Sequence, residues 1–122
     1  MTKTIRFDHE KLNVYQRSLK FITWTTDLLE RVPTKFSIHS QLDRASTSIP
    51  LNIAEGNGRF TKPDRKNFFG IARGSVQECV PLLELAFRRN LLNETNHTEL
   101  KAQLEEIARM LSGLINGLAN RL

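Results

Sequence analysis

"LKAQLEEIARMLSGLINGL", residues 100–118, repeats its apolar side chains at Leu100, Leu104, Ile107, Leu111, Leu114 and Leu118. Spacings of 4, 3, 4, 3 and 4 are those of a helix that buries one seam along its length. Just upstream, Asn96-x-x-Glu99 reads as a capping box opening this helix. A helix with a single apolar seam is not stable alone in water, so the fold depends on what the rest of the chain offers it.

Working toward the N-terminus, Thr61-x-x-Asp64 with Pro63 between them reads as another helix start. The hydroxyl caps, the proline presets φ, and the acid sits near the positive end of the helix dipole. This helix continues to about Asn90 with a stripe of Phe68, Ile71, Ala72, Ser75, Cys79, Leu82 and Ala86. Before it, Leu42, Ala45, Ile49, Ile53 and Gly56 share one face of a helix running from Ile38 to Asn57, with Asn52 at its edge. The first helix spans residues 9 to 31, with Leu12, Tyr15, Leu19, Ile22 and Leu29 toward the core, and Val32-Pro33 ends it. Nothing alternates like a strand. Four long helices joined by short connections predict an all-α, antiparallel up-down-up-down four-helix bundle, forming one domain over residues 1–122.

The first helix carries a second apolar stripe. At 100° per residue, Val14, Phe21 and Leu28 fall nearly opposite Leu12, Leu19 and Ile22, with Trp24 alongside. Scattered surface hydrophobes are ordinary, but a periodic outer stripe with an aromatic anchor marks a contact surface. Val14, Phe21, Trp24 and Leu28 are therefore the expected oligomer interface.

Composition narrows the function classes. The chain has 18 Lys and Arg against 13 Asp and Glu, a net charge of +5. Such a balance suits acidic partners, nucleic acid first, although a solvated basic surface has the same composition. One cysteine, Cys79, leaves no internal disulfide and no cysteine zinc site. The start "MTKTIRFDHEK" lacks an apolar core for a signal peptide, and no apolar run reaches membrane-spanning length. A cytoplasmic protein without membrane association is expected.

No catalytic constellation emerges. His9, His39 and His97 have no ligand spacing, no Glu-x-x-His pairs occur, and neither nucleotide-binding glycine motif is present. A non-enzymatic protein without cofactor or metal is expected. The densest basic stretch is "RFTKPDRK", where Arg59, Lys62, Arg65 and Lys66 gather beside Phe60, Phe68 and Phe69 at a helix start. Cations at a helix N-terminus favour phosphate, and neighbouring aromatics can stack bases. Phe68 is expected in the core, while Phe60 and Phe69 stay open. A polar set, Arg44, Ser48, Asn52 and Glu55 on the second helix with Arg73, Ser75 and Glu78 on the third, reads either as a solvated face with weak ion pairs or as a helix–helix or inter-subunit network, with Glu55 expected to meet Arg73 or a neighbouring subunit.

"QLDRASTSIPLNIAEGNGR" (41–59) followed by "FFGIARGSVQE" (68–78) closely resembles the bacterial four-helix-bundle proteins called 23S rRNA-intervening-sequence proteins. "LNVYQRSLKF" (12–21) and "EEIARMLSGLINGL" (105–118) are similar to that family's first and last helices, so the resemblance covers nearly the whole chain. Tyr15 stands where the family usually has tryptophan, and Pro81 lies inside the third helix. The resemblance implies a homopentamer with an RNA-linked role, ribosomal RNA included. It also implies kinship with accessory proteins of diversity-generating retroelements. That leaves a rival expectation, an assembly or adaptor module whose partner is a protein such as a reverse transcriptase.

Overall fold

A computed structural model describes residues 7–120, so the expected domain limits at residues 1 and 122 lie outside the described residues. A short 3-10 turn over Asp8–Lys11 leads into four helices: α1 (Asn13–Arg31), α2 (Ser37–Asn57), α3 (Lys62–Arg88) and α4 (Glu94–Asn120). No strand occurs among the described residues.

Cross-helix pairs fix the directions. Arg44 meets Glu78 and Ser48 meets Ser75, so α2 and α3 run antiparallel. Arg73 meets Ser112 and Glu84 meets Lys101, which makes α3 and α4 antiparallel. Thr23 to Arg31 lie beside Leu92 to Leu100, and Asn13 to Lys20 beside Glu106 and Met110, so α1 and α4 are antiparallel too. Each helix packs on two neighbours in the ring α1–α2–α3–α4, the expected up-down-up-down bundle.

The core follows the seams of α2 and α4 closely. Leu42, Ala45, Ile49, Ile53 and Gly56 are buried on α2, as are Leu100, Leu104, Ile107 and Leu111 on α4. Pro50 lies inside α2 and is itself buried, yet the helix runs on to Asn57. On α3 the buried set is Phe69, Ala72, Ser75, Val76, Cys79, Leu82, Leu83 and Ala86. Phe69, and not Phe68, is therefore the core aromatic, and Ile71 is exposed.

α1 departs most from its sequence reading. Its buried side is Val14, Ser18, Phe21, Thr25 and Leu28, with Val32 just beyond. Val14, Phe21 and Leu28 keep only 3, 0 and 1% of their surface exposed, which removes them from any outer interface. The seam has the 4, 3, 4, 3 spacing of a bundle helix, but hydroxyls fill alternate positions. Each hydroxyl donates to its own helix: Ser18 Oγ to the Tyr15 carbonyl at 2.7 Å, and Thr25 Oγ1 to that of Ile22 at 3.0 Å. Hydroxyls satisfied in this way enter the core at little cost. Leu12, Tyr15 and Leu29 pack at the core's edge, and Leu19 is exposed.

The helix ends use three devices. Thr61 caps α3, its Oγ1 accepting from the Asp64 N–H at 3.3 Å. α3 closes with the Leu91 N–H on the Ala86 carbonyl and the Asn90 N–H on that of Phe87, Asn90 taking φ 60°. That is a Schellman closure with asparagine in the left-handed position usually held by glycine. α4 starts a turn earlier than its sequence suggests, because Asn93 and not Asn96 is the cap: Asn93 Oδ1 accepts from the Asn96 N–H at 2.7 Å.

Candidate nucleic-acid interface

The α2–α3 turn is tight and well anchored. The Gly58 N–H reaches the Ala54 and Glu55 carbonyls, both at 3.2 Å, and the Arg59 N–H reaches Gly56 at 3.3 Å. Gly58 has φ −85°, so the turn uses ordinary helical geometry there and not the left-handed freedom of glycine. Between these bonds and the Thr61 cap, the Phe60 side chain is fully exposed.

The four basic residues of this turn divide by environment. Arg59 ion-pairs with Glu55, and its guanidinium lies over the Phe68 ring, 4.5 Å from the centroid. Glu55 therefore meets Arg59 and not Arg73. Arg65 is half-buried; its guanidinium donates to Asn57 Oδ1 at 3.4 Å, and its Nε is buried without a partner. Asn57 in turn donates to Asp8 Oδ2 at 2.9 Å, tying the turn to the N-terminal segment. Arg65 is thus partly a structural side chain. Lys62 and Lys66 are both exposed at the first turns of α3. A cleft of about 340 Å³ opens here, lined by Glu55, Gly58, Arg59, Phe60, Thr61 and Asp64.

The remaining polar residues form a ladder along the outer α2–α3 seam. Arg44 binds Glu78 at 2.7 Å, and Ser75 Oγ donates to Ser48 Oγ at 2.8 Å. Asn52 turns back on its own helix, Nδ2 donating to Ser48 Oγ at 2.9 Å and to the Ser48 carbonyl at 2.8 Å. Arg73 faces the other way and donates to Ser112 Oγ on α4 at 2.8 Å. Its partner Ser112 had no sequence signal, since a lone serine beside a leucine seam reads as surface.

With Val14, Phe21 and Leu28 in the core, α1 leaves Leu19 and Trp24 as its exposed large apolar side chains, and others stand on α2 and α3. Leu51 on α2 is exposed, as are Ile71 and Leu85 on α3. Ile71, Glu78 and Leu85 recur every seven residues on one face of α3. Extending the Arg44–Glu78 antiparallel register sets Leu51 level with Ile71 on the same outer side. Trp24, half-exposed, lines a separate cleft of about 270 Å³ between α1 and α4 with Asp27, Arg31 and Asn96.

Cys79 is buried on the α3 core face, and its thiol is pushed up to about 12 by that burial and by the nearby Glu78 carboxylate. A thiol so poised is a packing group, not a nucleophile. His97 stacks on Phe87 with ring centroids 5.0 Å apart. Among the described residues, no group of three or more His, Cys, Asp or Glu could hold a metal, and no helix is long and apolar enough to cross a membrane.

A four-helix bundle with a basic, aromatic-bearing turn and a polar ladder along one seam defines the class. The chain belongs to the 23S rRNA-intervening sequence protein family, whose model matches residues 10–113. Among solved structures it is similar to a protein of unknown function from the S23 ribosomal protein family of Bacteroides thetaiotaomicron. The two share 25% identity and a TM-score of 0.79, over 84% of this chain and 95% of that one. Among curated proteins, none matches significantly.

Proposed function

We propose that this chain is a non-enzymatic RNA-binding protein that works as a homo-oligomer, engaging structured RNA through the α2–α3 turn. One observation carries the reading: Lys62 and Lys66 stand exposed at the start of α3, beside Arg59 and the uncovered Phe60. Cations there add to the positive end of the helix dipole, and phosphate is the ligand both favour. The net charge of +5 adds long-range attraction. The family description, which names an rRNA intervening sequence, points the same way. Replacing Lys62 and Lys66 by glutamate tests the site: affinity for a structured RNA falls, and so does its salt dependence.

A second reading rests on a different observation. Leu51, Ile71 and Leu85 leave an apolar stripe on the outer α2–α3 face, around the Arg44–Glu78 pair. Such a stripe suits subunit contact, and this face replaces α1 as the proposed self-association surface. Leu51→Glu or Ile71→Glu should shift the protein toward monomers in light scattering without lowering its helix content. If the stripe contacts a different protein instead, the chain is an adaptor and the same variants leave its own assembly state unchanged.

A further inference from the structure

We infer that the cleft at the α2–α3 turn receives one unpaired nucleobase of the bound RNA, stacked on Phe60, an inference that rests on the RNA-binding reading above. Of the seven phenylalanines, Phe21 and Phe69 lie in the core and Phe60 alone among the described residues is fully exposed. An exposed ring on a loose terminus would mean little. Phe60 instead sits between the Gly58 and Arg59 N–H bonds that close α2 and the Thr61 cap that opens α3. Its ring is therefore presented on a fixed backbone, as a stacking platform requires.

The surroundings sort a nucleotide into its parts. Arg59 offers a second planar group, fixed from behind by the Phe68 ring at 4.5 Å and from the side by Glu55. Guanidinium planes, like aromatic rings, stack unpaired bases. The cleft between these groups measures about 340 Å³, and Asp64 stands at its rim. The Asp64 carboxylate is exposed and enters no ion pair among the described residues, so its oxygens are open to the donors of a ligand. Guanine presents N1–H and N2–H side by side on one edge, a match for one carboxylate, whereas adenine presents only its amino group there. The same carboxylates repel phosphate, which leaves the RNA backbone to the Lys62 and Lys66 side. A base paired within a helix is covered on both faces and cannot reach Phe60, so the ligand is a loop or bulge nucleotide.

The test compares two RNAs with the same stem, a hairpin with a guanosine in its loop and a blunt duplex, binding the intact protein across a salt titration. The hairpin should bind about tenfold more tightly, the scale of one stacked base. Phe60→Ala should bring the hairpin down to the duplex value and leave the duplex alone. Phe60→Trp should keep the preference, and loop adenosine should weaken it. Equal binding of both RNAs by the unaltered protein overturns the inference while leaving the RNA-binding reading intact. So does a hairpin preference that survives Phe60→Ala, including the case in which that variant only alters the oligomer in light scattering. Failure of both RNAs to bind in a salt-sensitive way overturns the RNA-binding reading itself.

Discussion

Gly56 lies directly under the ring of Phe69: a Cβ at position 56 would stand 2.9 Å from both Cδ1 and Cε1 of that ring, and 3.1 Å from Phe68 Cβ. Phe69 is core and Phe68 Cβ is fixed by its backbone, so neither can retreat cheaply. The two helices that carry the proposed interface are held in register by this contact. Gly56→Ala gains helix propensity, about 1 kcal/mol, but overpacks the core by about 1–3 kcal/mol. Chemical denaturation should show a net loss of stability.

Phe21 provides a second check on the architecture. Buried fully within the α1 seam, it should cost about 3–5 kcal/mol when replaced by alanine, read from a denaturant midpoint. Phe21→Glu should unfold the chain. A folded Phe21→Glu monomer would instead restore the outer-stripe reading of α1.

The α4 and α2 seams are legible in the sequence because nearly every seam position is a Leu, Ile or Ala. α1 is not, for a physical reason: Ser18 and Thr25 take alternate seam positions, and a count of apolar residues then favours the opposite stripe of Leu12, Tyr15 and Leu19. Local hydroxyl-to-carbonyl bonds make those positions acceptable in a core, and no spacing rule reveals such bonds beforehand. Phe68 and Phe69 are adjacent on a helix, so periodicity alone could choose either; the gap left by Gly56 chooses Phe69. The basic turn is legible as a cluster of charges. How Arg59 and Arg65 are placed depends on Glu55, Asn57 and Phe68 meeting across the turn, which only the fold supplies.

Cys79 links stability to alkaline pH. Its thiol sits near 12 in the folded chain against 9.0 when solvated, so above pH 9 the unfolded chain releases a proton that the folded chain keeps. The unfolded state then binds fewer protons, and stability falls as pH rises, by at most about 1.4 kcal/mol per pH unit. Below pH 9 this contribution is fully present. Cys79→Ala should flatten the fall between pH 9 and 12 in thermal melts. At neutral pH the native thiol should resist alkylation until the protein is denatured.

The Arg44–Glu78 pair is short but both side chains are largely in solvent. A double-mutant cycle to alanine should give a coupling of about 0–1 kcal/mol, shrinking with salt. A larger coupling in the assembled protein than in a Leu51→Glu variant would place the pair inside a subunit contact.

Binding of RNA by the α2–α3 turn through Lys62 and Lys66 is read from the affinity for a structured RNA as a function of salt. Log affinity should fall linearly with log salt concentration, with the slope reduced by about one for each lysine replaced by glutamate. A salt-insensitive interaction, or a slope unchanged in the Lys62→Glu, Lys66→Glu double variant, would contradict it.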